Sequence, residues 1–390
     1  MQFFDWFEEN FNNLPAGWGD LLLSIDDYGA LIDKNGDVVT LSQAPLITEN
    51  DFKRLIDYQT RQNVNDRFTL EEFYANAYKE READFAALIC DHRFRVNLFT
   101  YEGGKLAAAC RKINNEIFDI EKIGLPINYI KELFRTKSGI VLFAGETGAG
   151  KSSTLAAGIQ YLQQFPLHIV TIEDPIEATY KKIGQALVHQ REVGADSNSF
   201  YSALRAALRQ KPHVIMIGEI RDALTAEAAM KAAISGHLVL STVHSNSSYE
   251  CPRRIVDLFP VEQQQSVRNM LADCFVAFIA QKLARRKDGS GRVLVYEILN
   301  NKIPSGGVAA DIKNGEYAAL VNHMTHSNDI TQMIVLEKLL MNYVRDGIIT
   351  EEEAMVHAND KSRLQKYLTM PDPSAKTSEG GARVPLGRKL

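Results

Sequence analysis

Two rhythms of apolar positions run along the chain. In the first part, Arg93-Phe94-Arg95-Val96-Asn97-Leu98-Phe99 alternates polar and apolar side chains, the period of a half-buried strand. Asp20–Ser24 and Val38-Val39-Thr40-Leu41 are further strand candidates, the second entered through an Asn35-Gly36-Asp37 turn. Glu102-Gly103-Gly104-Lys105 predicts a hairpin turn into Leu106–Arg111, and a helix is expected over about Asn50–Thr60. Phe3, Phe7 and Phe11 recur at helical spacing beside Phe4 and Trp6. Anionic lipid would repel the accompanying Asp5, Glu8 and Glu9, so this helix should pack on protein.

From about residue 127 the rhythm changes. Short unbroken apolar runs at Gly139–Phe143, His168–Ile172, Val214–Ile217 and Leu238–Val243 alternate with helical stretches such as Ser153–Gln164. Strands that are apolar on both faces belong to a parallel sheet covered on both sides. The expected division is an N-terminal domain over 1–115, a linker over 116–126 within the weakly patterned Lys112–Pro126, and an α/β domain over 127–370. A tail over 371–390, rich in Pro, Gly, Ser and charge, is expected to be disordered.

Composition narrows the function classes. With 44 Lys+Arg against 49 Asp+Glu, the net charge of -5 lacks the basic footprint of a protein whose main partner is nucleic acid. Cys90, Cys110, Cys251 and Cys274 form no C-x-x-C pair, which predicts reduced thiols in a cytoplasmic protein. No apolar run approaches the roughly 20 residues that span a bilayer. Met1–Asn10 carries acids where a signal peptide carries Lys or Arg.

The strongest chemical signal is Gly145-Glu146-Thr147-Gly148-Ala149-Gly150-Lys151-Ser152, a G-x-x-x-x-G-K-[ST] phosphate loop between a strand and a helix that begins near Ser153. Its glycines let backbone N–H groups wrap a phosphate at the positive end of a helix. Lys151 is expected on the β and γ phosphates of ATP, and the Ser152 hydroxyl on Mg²⁺. Attacking water needs a carboxylate, and Glu219, which follows the apolar strand Val214–Ile217, is the candidate. A second acidic cluster, Glu173, Asp174 and Glu177, also ends an apolar strand, where ligands bind in such sheets. Asp174 before Pro175 reads equally as a loop cap or as a catalytic group. His237 and His244 flank Leu238–Val243; seven residues apart, they sit at opposite ends of one strand and cannot chelate one metal as a local pair. A γ-phosphate sensor at one end and ordinary structural histidines both remain open.

In this order and spacing, these segments resemble the secretion ATPase superfamily, and closely the type IV pilus retraction ATPases (PilT-like and PilU-like proteins). The resemblance rests on Gly145–Ser152, on Thr171-Ile172-Glu173-Asp174-Pro175-Ile176-Glu177 as an aspartate box, and on Ile217-Gly218-Glu219-Ile220-Arg221-Asp222 as a Walker B strand. Gly236-His237-Leu238-Val239 through Thr242-Val243-His244 matches the histidine box. Gln190-Arg191-Glu192-Val193, Asp257-Leu258-Phe259-Pro260 and Gly289-Ser290-Gly291-Arg292-Val293 match too. It covers roughly residues 18 to 365.

The resemblance implies an α/β chain in which a PAS-like N-terminal α+β domain precedes a RecA-like P-loop ATPase domain with a mostly parallel sheet. It implies a homo-hexameric ring, with or without a paralogous motor ATPase, that hydrolyses ATP with Mg²⁺ between the domains to drive pilus retraction and twitching motility. Glu219 then matches the catalytic glutamate, Glu173, Asp174 and Glu177 arrange metal and water, and His237 and His244 couple nucleotide state to movement. Arg95, Arg111 and Arg254 match basic residues near the nucleotide or the subunit interface. Such a protein is cytoplasmic and reaches the inner membrane through a pilus or secretion platform protein. Two outputs stay beside retraction: a type IV secretion or conjugative-transfer ATPase, which Thr242-Val243-His244-Ser245-Asn246 also resembles, and a weakly catalytic partner subunit. One departure is clear. The Ala-Ile-Arg-Asn-Leu-Ile-Arg-Glu segment tied to retraction corresponds here to Val308-Ala309-Ala310-Asp311-Ile312-Lys313-Asn314-Gly315, which has neither arginine. The lack of a four-cysteine zinc module argues against the type II secretion and pilus-assembly branch.

Overall fold

Contacts divide the chain into two units: Met1–Glu116 with Asp174–Thr179 and Glu192–Asn198, and Ile117–Glu173 with Tyr180–Arg191 and Ser199–Leu390. The computed structural model describes residues 1–15, 17–33, 36–58, 71, 82–113, 117–301, 306–327 and 332–371. Asn35 of the expected turn, the end of the Asn50–Thr60 helix, residues 114–116 and the tail beyond Pro371 lie outside the described residues.

The first unit is built on an antiparallel sheet of β1 (Asp20–Ser24), β2 (Ala30–Ile32), β3 (Val38–Thr40), β4 (Glu82–Ile89), β5 (His92–Tyr101) and β6 (Lys105–Lys112). Their order is β3-β2-β1-β6-β5-β4. The alternation of β5 sends Phe94, Val96 and Leu98 into the core and leaves Arg95 exposed. Helices Phe3–Asn10 and Glu49–Asp57 contribute Phe3, Phe4, Phe7, Phe52 and Leu55 to that core, so the aromatic N-terminal helix packs on protein. Asp51 Oδ2 accepts the Thr48 backbone N–H at 2.8 Å, capping the second helix. Arg54, on that helix, pairs with Asp5 and Glu8 and ties the two helices together.

Two short segments from far along the chain join this unit. Buried Arg93 pairs with buried Glu192, whose carboxylate also accepts the Ile176 N–H at 2.9 Å. Glu192 N–H in turn donates to Asp196 at 2.8 Å. Arg93 Nε has no hydrogen-bond partner, so the guanidinium is only partly satisfied.

The second unit holds β7 (Gly139–Ala144), β8 (His168–Glu173), β9 (Leu187–Glu192), β10 (Val214–Ile217), β11 (Leu238–Val243), β12 (Phe275–Arg285) and β13 (Arg292–Asn300). The order is β13-β12-β7-β11-β10-β8-β9. The pairs β12–β7, β7–β11, β11–β10 and β10–β8 are parallel, and β12–β13 is antiparallel. Strands β7, β10 and β11 are buried along their whole length, as runs apolar on both faces require. Ile120, Ile123 and Leu125, from the stretch expected as a linker, lie in this unit's core. Helices Leu336–Arg345, Glu351–His357 and Lys361–Thr369 form a separate apolar cluster with Ala284 of β12 and Val293 and Val295 of β13. Among the described residues, no helix is long and apolar enough to cross a membrane.

Candidate functional site

Parallel pairing aligns the C-terminal ends of β7, β8, β10 and β11 on one edge, and the chemistry collects there. From β7 the chain enters the loop Gly145–Gly150 and then the helix Lys151–Leu162. Gly145, Gly148 and Gly150 have φ of 147°, 81° and 87°, a region that side chains avoid. At Gly145 there is also no room: an added Cβ would stand 2.5 Å from the Gln281 carbonyl of β12. Lys151 Nζ donates to the carbonyls of Gly145 at 2.7 Å and Glu146 at 2.9 Å, closing the loop into a ring. Glu146, Thr147, Gly148, Ser152 and Ser153 are exposed, whereas Ala149 is buried beneath the loop. One helical turn on, Thr154 is buried and its Oγ1 accepts from Gln281 Nε2 at 2.9 Å, fixing the helix against β12.

A set of hydroxyl and backbone bonds stitches the ends of β10 and β11 together. Ser241 Oγ donates to the Ile217 carbonyl and Thr242 Oγ1 to the Gly218 carbonyl, both at 2.7 Å. Gly218 N–H donates to the Ile172 carbonyl at 2.7 Å and Ile220 N–H to that of Thr242 at 3.1 Å. This turn presents Glu219 to His244: Glu219 Oε1 lies 3.2 Å from His244 Nε2. The other oxygen, Oε2, accepts from Arg221 Nε at 2.8 Å. The Glu219 side chain is only 16% exposed, whereas Arg221 and His244 reach it from solvent, at 55% and 47% exposed. Arg254 Nε donates to the His244 carbonyl at 3.0 Å. A cleft of about 460 Å³ is lined by Gly145, Glu146, His244, Asn246, Arg253 and Arg254, among others.

Glu173, at the end of β8, is buried and accepts from Thr171 Oγ1 at 2.6 Å and Gln190 Nε2 at 3.2 Å. Asp174 and Glu177 are exposed and belong to the first unit. So do Arg95 and Arg111, which are cross-strand partners in the β5–β6 register, both exposed. Like charges placed opposite each other repel. The Arg111–Asp20 ion pair, at 2.8 Å, offsets part of that cost. His237 is not brought to the site. It precedes β11 and sits at the N-terminal edge of the sheet, hydrogen-bonded to Ser235 Oγ and the Ala232 carbonyl, both at 3.1 Å. The strand between the two histidines separates them by roughly 20 Å.

Three contributors lie within segments that the sequence reading quoted but were given no role of their own there: Arg221, Gln190 and Thr171. The last had a local signal, since residues two apart on a strand share a face, and Thr171 stands two before Glu173. Arg221 likewise stands two after Glu219. Gln190 reaches Glu173 only through sheet formation.

Residues 89–384 match the family described as Type II/IV secretion system protein. The chain is 37% identical to a twitching motility protein of Neisseria gonorrhoeae over 70% of this chain and 71% of that one. It is 36% identical to the type IV pilus ATPase PilU of Pseudomonas aeruginosa, over 87% of this chain and 85% of the relative. A crystal structure of the pilus retraction motor PilT with bound ADP superposes with a TM-score of 0.79 at 34% identity, covering 94% of this chain and 99% of PilT. The chain belongs to the Type II/IV secretion system protein family.

Proposed function

We propose that this chain is the subunit of an ATP-hydrolysing motor that drives type IV pilus retraction. The observation that carries the proposal is the joint presence, on one edge of one mostly parallel sheet, of a glycine-built phosphate loop and a Glu219–His244 pair. Likeness over most of the chain to a twitching motility protein and to the retraction motor PilT supports the pilus as the machine driven.

The residues fit a nucleotide. Loop glycines at positive φ turn N–H groups toward a phosphate, and the helix that starts at Lys151 adds its positive end. Lys151 exchanges its bonds to the Gly145 and Glu146 carbonyls for phosphate oxygens. The exposed Ser152 hydroxyl would hold Mg²⁺, which would neutralise charge on the phosphates. Glu219 orients the attacking water and takes its proton, while His244 and Arg221 keep the carboxylate oriented. Glu173, fixed by Thr171 and Gln190, helps arrange metal and water. Asp174 and Glu177 have the same proposed role.

Arg95, Arg111 and Arg254 are proposed to supply positive charge to a nucleotide, in their own subunit or in a neighbouring copy. The proposed assembly is a hexameric ring, alone or mixed with a paralogous motor ATPase, an option that the likeness to PilU supports. In this proposal the first unit is PAS-like, the second RecA-like, and the ring acts in the cytoplasm on an inner-membrane platform protein. The test is ATP turnover by the purified chain with Mg²⁺. Lys151→Ala should abolish nucleotide binding or turnover, and unchanged activity would remove the phosphate-loop assignment.

A further inference from the structure

Beyond His244 the chain turns through a tightly bonded loop before the helix Cys251–Val256. Ser245 Oγ donates to the Ser247 carbonyl at 3.0 Å, and Cys251 Sγ to the same carbonyl at 3.3 Å. Ser247 and Ser248 are buried, and the Ser248 backbone N–H donates to the carboxylate of Glu297 on β13. Glu297 is 1% exposed and meets more than this loop. Its carboxylate also accepts the backbone N–H of Leu336, at the start of a C-terminal helix, and lies 3.5 Å from Asn359 Nδ2. Asn359 Oδ1 is held by Lys282 Nζ at 2.6 Å, and the same ammonium donates to the His357 carbonyl at 2.8 Å. One buried carboxylate therefore joins three things: the loop that carries His244, the first turn of Leu336–Arg345, and the turn before Lys361–Thr369.

A carboxylate has no place in an apolar core unless its bonds matter, because desolvation costs it more than a neutral side chain. Packing alone would be served by Leu or Met at this position. What the carboxylate adds is a geometric fix on Ser248, four residues from His244. Catalytic groups misplaced by about 1 Å can lose a hundredfold in rate.

We propose that Glu297 is a positioning residue for His244. Through Ser248 it sets the loop that holds the imidazole against Glu219, and through Leu336 and Asn359 it makes that setting depend on the C-terminal helices. A displacement of those helices is then felt at the hydrolytic carboxylate Glu219, through a bond between Ser248 and Glu297 that spans 49 residues of chain. The proposal rests on the Glu219–His244 assignment above.

The test is steady-state ATP turnover by the full chain carrying Glu297→Gln, His244→Ala, both together, or Asn359→Leu. Glu297→Gln keeps the volume but loses an acceptor. It should lower kcat about tenfold or more while KM for ATP stays within about twofold, the signature of lost positioning. His244→Ala should lower kcat as well, and adding Glu297→Gln to it should cost nothing further, since the group being positioned is gone. Asn359→Leu, at a half-buried site, should lower kcat in the same direction and carries the test if Glu297→Gln does not fold. Unchanged kcat in Glu297→Gln and Asn359→Leu overturns the proposal. So does an equal loss from Glu297→Gln with and without His244. Unchanged kcat in His244→Ala overturns both the proposal and the assignment beneath it.

Discussion

Glu219 Oε1 stands 3.2 Å from His244 Nε2 because Ser241 and Thr242, at the end of β11, bond to the carbonyls of Ile217 and Gly218. The contact is thus a product of strand pairing, and it puts the His244 imidazole beside a carboxylate that is 16% exposed. Glu219→Gln keeps this packing and removes the base. Turnover should fall by roughly 10²–10⁴, the usual contribution of a positioned acid–base group, with nucleotide binding retained. A coupled phosphate-release assay beside a binding titration reads both, and intact hydrolysis would remove Glu219 from the catalytic role.

Gly145 is the tightest point of the phosphate loop. At φ 147°, with the Gln281 carbonyl 2.5 Å from an added Cβ, Gly145→Ala must shift either the loop or β12. Backbone strain of this kind is worth about 1–3 kcal/mol, so nucleotide affinity should weaken by about tenfold or more. A fluorescent ATP analogue measures it; undiminished affinity would mean that the loop has slack the geometry denies.

The Arg93–Glu192 pair is buried on both sides and holds distant segments on the first unit. Removing one partner strands the other charge, and Arg93→Met or Glu192→Leu alone should cost about 3–5 kcal/mol. The double replacement should recover most of that loss. Denaturant unfolding of the three variants checks both signs. A double variant as unstable as the worse single one would show that the pair contributes more than mutual compensation.

Burial pushes the Glu297 carboxyl up to about 7, the neighbouring Glu337 adds to the rise, and the Ser248 and Leu336 N–H groups oppose it. Lys282 from β12, Tyr249 from the loop and Cys251 at the start of the helix that follows it also interact with Glu297. The native state therefore holds a proton that the unfolded chain has lost, in the window from about 4.5 to about 7. Stability from this group is full below the window and falls as pH rises through it, by about 3 kcal/mol in all. Glu297→Gln should flatten that slope. Unfolding midpoints at pH 5 and pH 8 for both proteins give the difference, and equal slopes would contradict it.

Much of the second unit was legible because its strands are apolar on both faces. Gly139–Phe143, Val214–Ile217 and Leu238–Val243 stand out as runs, and the phosphate loop stands between one run and a helix. The edge strand β9 did not stand out, since Leu187 and His189 are exposed and the stretch reads as polar. The β12–β13 pair and the C-terminal helices were missed for a different reason: Phe275–Arg285 is apolar enough to pass for a buried helix, and only its register with β7 settles the matter. Within the site, types were legible and neighbours were not. Glu219 was found by position, but Gln190 and Glu297 acquire their partners only when the sheet closes. The same closure separates His237 from His244, which the spacing had already required. The capture of 174–179 and 192–198 by the first unit follows from Arg93 and Glu192, a pair 99 residues apart.

Retraction by ATP hydrolysis at Glu219 is tested most directly in cells whose only copy of the gene carries Glu219→Gln, by counting surface pili and measuring surface spreading. The expected result is an excess of surface pili on cells that no longer twitch. Normal pili with normal spreading, or bald cells, would contradict it, and unchanged pili with lost protein or DNA transfer would assign the motor to a secretion machine instead.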